Sequence, residues 1–466
     1  MKDKNIYVNA SLYYLFGNLF NRGLAFITIP IFTRILNLND YGIVNTYMSW
    51  VGILSMILGM TLHMGIRSAF SDFYKKIDDF MSSVITLTIS FTLAVFILVI
   101  ILINIFQIEV QLALVVYCLI QGFAIAILND YSMYLMMKLK YRLRTLILVL
   151  PNLVSTIISI VMILYIYDSD KYLAKIISTS LIHFGFSIVI MVVIYKKSTM
   201  FFNKDYWKYG ISISTPIILH GLSLTILSQS DRIMLTAFVG ADQTAVYSLV
   251  YNFGMIASVV AVSLDGIWVP WFVDNMKKDN IERINEKVII YIKLMTFVIL
   301  GIILISPEVL VLLAPKEYLI GDRIVPPIVI SSYVIFLYTI YVDVEHYYKK
   351  TSKIAINTII AASCNIILNY IFIPLYGMYA ASITTLISYL LSLFLHYRFS
   401  KKINESLFPA IIILKPLLII VIGIIVYYLF LPFMLIRWIM LILLMIYAYF
   451  NFKNEINTFI LRIIKH

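Results

Sequence analysis

Apolar blocks of about twenty or more residues alternate with short polar segments along nearly the whole chain. One helical crossing of a bilayer needs ~20 apolar residues, so each block is long enough to span a membrane. The pattern predicts fourteen membrane helices, near residues 10–34, 41–66, 82–106, 110–136, 145–167, 173–195, 211–238, 244–272, 288–314, 326–348, 354–375, 378–398, 409–430 and 434–452. The connections are short, and no soluble domain interrupts the series.

Composition supports lipid as the solvent of this chain. Of its 466 residues, 62% are apolar and 13% are charged, and that charged share is about half the usual one for a globular protein. A single soluble core cannot bury so much apolar side chain, which excludes an ordinary soluble enzyme, a disordered regulator and a coiled coil. Cys118 and Cys364 both lie in apolar blocks, so neither a disulfide framework nor a metal site is expected. The first block is long and carries Arg22, so we expect a retained membrane helix rather than a cleavable signal peptide.

Basic residues predict the orientation of these helices. The chain has 36 Lys and Arg against 24 Asp and Glu, a net charge of +12. If the N-terminus is placed inside, twenty-six of the 36 basic residues fall in the two termini and in alternate connections. Cytoplasmic loops carry such an excess, so both termini are predicted to be cytoplasmic. The basic clusters lie between apolar blocks, which favours this explanation over nucleic-acid binding.

The C-terminal tail has a pattern of its own. Apolar residues recur at helical spacing beside Arg462 and Lys465, at positions Ile456, Phe459, Ile460, Ile463 and Ile464. This spacing predicts an amphipathic helix over residues 453–466 on the inner membrane surface, with a frayed end as the alternative.

Four stretches carry a resemblance to a known family, and they occur in the same order over essentially the whole chain. They are Asn21-Arg22-Gly23 with Pro30, Thr33-Arg34 and Asp40-Tyr41-Gly42; Asp231-Arg232-Ile233-Met234 with Tyr247; Asp265 with Trp268-Val269-Pro270; and Asn365 to Asn369 with Ile373 to Gly377, Ala380-Ala381 and Thr384-Thr385. In these stretches the chain resembles the Wzx-type polysaccharide flippases.

The resemblance implies a place in the multidrug/oligosaccharidyl-lipid/polysaccharide exporter superfamily. The implied fold is all-α and membrane-integral, with two six-helix lobes around a central cavity and two further helices. On that scheme the lobes are residues 1–208 and 209–400, the last two spans lie in 401–452, and 453–466 is a cytoplasmic tail.

The same resemblance implies an activity in the bacterial cytoplasmic membrane. A flippase of this kind moves a polyprenyl-pyrophosphate-linked oligosaccharide from the inner to the outer leaflet for O-antigen, capsule or another surface polysaccharide. Its implied partners are that lipid-linked sugar, membrane lipids, and a polysaccharide polymerase with its chain-length regulator. No catalytic residue and no nucleic acid are expected.

Ionisable groups deep in the predicted spans are candidate substrate ligands, because each costs roughly 2.5–3.5 kcal/mol at a helix centre. Arg22 lies near the middle of the first span, with Asn18 and Asn21 beside it. Arginine binds phosphate oxygens bidentately, which suits a lipid pyrophosphate. The alternative for Arg22 is an ion pair with a carboxylate elsewhere in the bundle.

Further candidates for the cavity come from three other spans. They are His63 and Arg67 in the second, Asp231 and Arg232 in the seventh, and Lys293 in the ninth. Each has a structural alternative, which is positive-inside anchoring for Arg67, a salt bridge for the Asp–Arg pair, and snorkelling for Lys293.

Acidic residues inside the spans are candidates for binding a coupling ion. Asp130 and Asp265 are the two proposed for this role, with Na⁺ and H⁺ both open and no other cofactor or metal predicted. Asp130 and Glu345 lie close to basic inner loops, so a salt bridge is the favoured alternative for those two.

Other functions stay open at this point. A lipid II flippase shares the architecture and the cationic cavity. A drug or cation antiporter of the superfamily would need a carboxylate-dominated cavity, which Arg22 argues against. A membrane enzyme is disfavoured, because the longest outer connection, around residues 314–326, is short and carries no catalytic triad, metal-ligand cluster or phosphate-binding Gly loop.

Overall fold

The structure, a computed structural model, describes residues 2–109 and 111–464 and contains no β-strand in those residues. Its helices are α1 (Lys2–Ile35), α2 (Leu38–Gly59), α3 (Leu62–Asp72), α4 (Ile77–Ile105), α5 (Leu112–Met137), α6 (Tyr141–Tyr165), α7 (Lys171–Tyr195), α8 (Lys204–Val239), α9 (Ala241–Lys277), α10 (Ile281–Leu313), α11 (Val325–Tyr347), α12 (Thr351–Ile403), α13 (Ile411–Phe430) and α14 (Met434–Ile464). Short 3₁₀ helices at Tyr74–Lys76 and Lys316–Ile324 precede α4 and α11.

The prediction of fourteen spans is confirmed. By length and apolar composition, twelve described segments suffice to cross a membrane, and α8 is a thirteenth with a 51° bend between Lys204–Thr215 and Ile217–Val239. That total counts α12 once, although its backbone leaves helical geometry at Gly377 with φ 56° and ψ −135°. Glycine adopts a positive φ without the steric penalty of a Cβ, so Gly377 can form the turn between two spans. Counting α12 as two spans gives fourteen.

Several helices extend beyond the predicted spans. α8 begins at Lys204 and α10 at Ile281, seven residues before the apolar blocks predicted to start at 211 and 288. Hydrogen bonding within a helix continues outside the apolar region, so hydropathy underestimates the length. α14 likewise runs to Ile464 as one helix, whereas the side chains named in the tail pattern lie outside the described residues. Its location on the membrane surface stays a prediction.

The second span is broken, which the sequence pattern does not predict. α2 ends at Gly59 and α3 begins at Leu62, and Met60 and Thr61 between them have φ values of 46° and 49°. Left-handed backbone at residues other than glycine is uncommon and costs about 1–3 kcal/mol per residue. The span predicted near 41–66 is present as one segment, Leu38–Asp72, whose helix is interrupted at Met60 and Thr61.

The chain divides into two compact units, residues 1–245 and 246–466. α8 belongs to the first unit because it packs along α2 and α3. The hydroxyls of Thr46 and Thr236 lie 2.5 Å apart, and Thr61 and Ser214 exchange hydroxyl-to-carbonyl hydrogen bonds of 3.4 and 3.2 Å. The predicted lobe boundary at residue 208 stays a prediction.

The first unit is built around α5, which packs against α2, α3, α4 and α7. Tyr47 of α2 donates a 2.8 Å hydrogen bond to Gln121 of α5, and its hydroxyl lies 2.8 Å from that of Ser180 on α7. All three side chains are buried. Buried polar groups need such partners, so this network specifies how the three helices meet.

In the second unit, α11 packs mainly against α12. The Glu345 carboxylate of α11 lies 2.9 Å from Nδ1 of His396 on α12, and both side chains are almost fully buried. Trp268 of α9 donates a 3.0 Å hydrogen bond to Asp343, and Arg437 of α14 pairs with Glu308 of α10. Polar contacts thus join several of its helices.

Gly42, in the first turn of α2, allows close approach to the start of α9, because a Cβ at this position would overlap the carbonyl group of Ala241. We expect Gly42→Ala to destabilise the protein by about 1–3 kcal/mol, the usual cost of overpacking. Gly185→Ala is the matched control, because no atom lies within 4 Å of a Cβ there. Thermal unfolding in detergent should show a lower Tm for Gly42→Ala only, and equal Tm values would contradict this account.

Candidate functional site

Arg22 lies in α1 with its side chain exposed. Within the described residues, Arg22 forms no salt bridge within 4.0 Å and no hydrogen bond. The ion-pair alternative considered for this residue is therefore not what the structure shows. A guanidinium group in a membrane helix without a carboxylate partner is available to an anionic ligand.

The two asparagines beside Arg22 differ in their surroundings. Asn18 is exposed on the Arg22 side of α1. Asn21 contacts α6 instead, since its amide donates a 2.8 Å hydrogen bond to the Leu148 carbonyl and accepts a 3.4 Å hydrogen bond from Asn152. Asn21 thus holds α1 to α6, and a role for it in binding substrate stays a prediction.

Lys175 is a second intramembrane cation, one that the sequence analysis did not single out. Its ammonium lies 4.0 Å from the ring centroid of Phe32 in α1, a cation–π contact, and the side chain is half-buried. The described part of the chain offers it no carboxylate within salt-bridge distance. Lys175 lies one turn after Lys171, at the start of α7, where snorkelling lysines are also found, so sequence position alone could not identify it.

Arg232 and Asp231 are both buried in α8. Arg232 donates to Gln229 on its own helix at 2.6 Å, and Ser49 of α2 donates to the same Gln229 oxygen at 3.0 Å. Thr244, in the first turn of α9, donates to the Arg232 carbonyl at 3.4 Å. This polar cluster contributes to helix packing, and substrate contact by the pair stays a prediction.

His63 and Asp130, which were proposed separately, lie together beside the break in the second span. His63 is in the first turn of α3, and Asp130 is on α5. They share a cavity of about 60 Å³. The salt bridge expected for Asp130 is absent within the described chain, because the nearby inner-loop Lys138 pairs with Asp78 at 2.5 Å. Arg67, one turn beyond His63, is exposed.

The remaining candidates lie in the second unit. Lys293 is exposed on α10, and Asp265 is half-buried on α9. Glu345 pairs with His396 inside the bundle, which corrects the expectation that it binds a basic inner loop.

Comparison with known sequences connects this arrangement to a family. A profile of the family described as polysaccharide biosynthesis protein matches residues 8–276, more than half of the chain. The chain belongs to this family. A similar protein is the Lsg locus putative protein 1 of Haemophilus influenzae, which is 22% identical over 356 residues, 74% of this chain and 86% of that protein.

Comparison with solved structures shows the fold of a transporter superfamily. The lipid II flippase MurJ, in an inward closed conformation, superposes with a TM-score of 0.70 at 19% identity, covering 96% of this chain and all of that one. An inward-facing multidrug resistance MATE transporter of the MOP superfamily gives 0.62 at 14% identity, with 83% and 95% covered. This family member therefore has the MurJ/MATE-like fold, which is that of transporters and flippases.

The exposure of Arg22 can be tested by thiol labelling. In a background with Cys118→Ala and Cys364→Ala, Arg22→Cys should react with a charged methanethiosulfonate reagent, because only a thiol in contact with water ionises readily. Ile27→Cys on the same helix is the control, since Ile27 is 63% exposed but apolar and is expected to face lipid. Labelling of neither position would indicate that Arg22 does not face a water-filled space.

Proposed function

We propose that this protein is a flippase for a polyprenyl-pyrophosphate-linked oligosaccharide, which it moves from the inner to the outer leaflet of the bacterial cytoplasmic membrane. The observation that carries the proposal is Arg22, which has no carboxylate partner in the described chain although it lies in a membrane helix of a polysaccharide biosynthesis protein. An intramembrane arginine is costly, and such residues characteristically mark substrate or ion pathways.

The chemistry of the substrate matches this residue. A pyrophosphate presents several anionic oxygens, and a guanidinium binds two of them at once in a fixed planar geometry. Charge attraction is stronger in a site of low dielectric than in water. Lys175 offers a second cation in the same unit, held against an aromatic ring rather than a carboxylate. Asn18 supplies an amide beside Arg22 for phosphate or sugar oxygens.

The surface polysaccharide made from this substrate is proposed to be O-antigen, capsule or exopolysaccharide. A polymerase and its chain-length regulator then act on the translocated unit at the outer leaflet. The distribution of basic residues supports cytoplasmic termini, and alternating access through a cationic central cavity is the proposed route.

Lipid II translocation is the second candidate, because the MurJ structure shares this fold over nearly the whole chain and lipid II also carries a polyprenyl pyrophosphate. Rescue of a strain depleted of its own lipid II flippase would favour that substrate. A MATE-like antiporter of cationic drugs fits less well, since an unpaired arginine repels a cation.

Loss of the guanidinium should reduce translocation. In a strain with this gene deleted and no redundant flippase, Arg22→Ala should restore at least roughly tenfold less surface polysaccharide than the wild type, because a hydrogen bond to a charged group contributes about 1.5–3 kcal/mol. Arg22→Lys should restore an intermediate amount, since it retains the charge but lacks the bidentate geometry.

The control for this experiment is Lys278→Ala. Lys278 forms an exposed salt bridge with Asp274 at 2.6 Å, and exposed pairs contribute little. All variants are compared at equal protein level in the membrane. Full restoration by Arg22→Ala would exclude the proposed role of Arg22, and unchanged polysaccharide in the deletion strain would exclude the function itself.

A further inference from the structure

The break between α2 and α3 opens a small polar cavity inside the first unit. Its volume is about 60 Å³, and its polar lining comes from Ser55 of α2, from Thr61 and His63 beside the break, and from Asn129 and Asp130 on α5. A cavity of this size exceeds the ~10–15 Å³ that a single water-sized particle needs. It therefore has room for an ion together with a water molecule.

Asp130 is the charged group of this cavity, and its side chain is 1% exposed. The Oδ2 atom has neither a hydrogen-bond donor nor an acceptor as partner among the described residues. Isolated burial of a carboxylate costs several kcal/mol unless a counter-charge or a proton neutralises it. The N-terminus of α3 supplies only about half a positive charge, so part of this cost remains.

A proton on Asp130 would also neutralise the carboxyl group, and the acid form is a hydrogen-bond donor. No acceptor from the described residues lies within hydrogen-bond distance of Oδ2. The cavity beside this oxygen can also hold a particle that accepts lone pairs. A small cation meets that description, because it needs oxygen ligands and no acceptor.

The two hydroxyl groups of the cavity already use their protons elsewhere. Ser55 donates to the Gly52 carbonyl at 3.0 Å, and Thr61 donates to the Ser214 carbonyl at 3.4 Å. Their oxygen lone pairs remain available to a ligand that accepts electron density.

We propose that this cavity is a binding site for a small monovalent cation such as Na⁺, with the Asp130 carboxylate as its charged ligand and Ser55, Thr61 and Asn129 as neutral oxygen ligands. One carboxylate balances one positive charge, whereas Ca²⁺ sites use six to eight oxygens and usually several carboxylates. Unwound helices coordinate Na⁺ or H⁺ in other transporters. Asn129 is exposed, which gives the ion a route of entry.

The bound cation would also stabilise the break. Met60 and Thr61 adopt left-handed backbone conformations, and a cation that binds oxygens at this point compensates the strain. Ion binding is then coupled to the shape of the span that carries His63 and Arg67. Coupling to transport rests on the proposed function, whereas binding itself does not.

Binding can be measured on the full-length protein purified in detergent, without any lipid-linked substrate. Thermal unfolding is followed while NaCl replaces choline chloride at constant ionic strength, choline being too large for the cavity. A ligand that binds only the folded state raises Tm saturably. We expect such a rise for the wild type, with one ²²Na⁺ bound per chain.

Asp130→Asn should abolish both the Na⁺-dependent rise in Tm and ²²Na⁺ binding. Asp274→Asn, which removes an exposed acid that pairs with Lys278 and does not line the cavity, is the control and should keep both. If Asp130→Asn does not fold, Ser55→Ala tests the same site and should raise the Na⁺ concentration at half-maximal effect about tenfold. A tenfold change corresponds to ~1.4 kcal/mol.

Three outcomes would overturn the proposal. The first is a wild-type Tm that is the same in NaCl and in choline chloride. The second is a Na⁺ effect that survives in Asp130→Asn or, if that variant is unfolded, is unchanged in Ser55→Ala. The third is loss of the effect in Asp274→Asn. Since no polysaccharide is measured, failure here leaves the flippase proposal standing, and failure of that proposal leaves cation binding testable.

Discussion

Every backbone N–H and C=O group inside a bilayer needs a partner within the protein, because lipid offers none. This constraint makes the described chain helical throughout its spans and gives meaning to the few places where a helix is interrupted. At Gly377 a residue without a Cβ makes the turn between two spans. At Met60 and Thr61 the interruption occurs within a span, and side chains supply part of what the backbone loses, as in the exchange of hydrogen bonds between Thr61 and Ser214.

The same lack of solvent separates two kinds of polar side chain in the spans. Some are paired, such as Glu345 with His396 in the second unit, and these join helices. Others, namely Arg22, Lys175 and Asp130, have no oppositely charged partner in the described chain. The two groups of a pair compensate each other's charge and hydrogen bonding. A group without such a partner still attracts a ligand of opposite charge. The opposite signs of Arg22 and Asp130 also indicate that one protein can offer separate places to an anionic substrate and to a cation.

Much of the fold could be predicted from the sequence, because the length and the hydrophobic periodicity of each apolar block are local properties of that block. The number of spans and the polar residues within them follow from that pattern. The break at Met60–Thr61 could not, because neither residue is Gly or Pro and the conformation depends on contacts with α5 and α8. The partners of Asn21, Asp130 and Glu345 likewise depend on which helices become neighbours. Asp130 and Glu345 lie near basic loops in the sequence, which predicts salt bridges to those loops. Tertiary packing places both residues in other surroundings.

The break in the second span has a mechanical consequence. A glycine pair would make this point a flexible joint, because glycine populates many backbone conformations. Met60 and Thr61 restrict the backbone far more, and Thr61 is tied to α8 in addition. The junction between α2 and α3 therefore has fewer accessible backbone conformations than a glycine pair would have. A displacement of α3 would be transmitted to α5, against which it packs, rather than absorbed within the span.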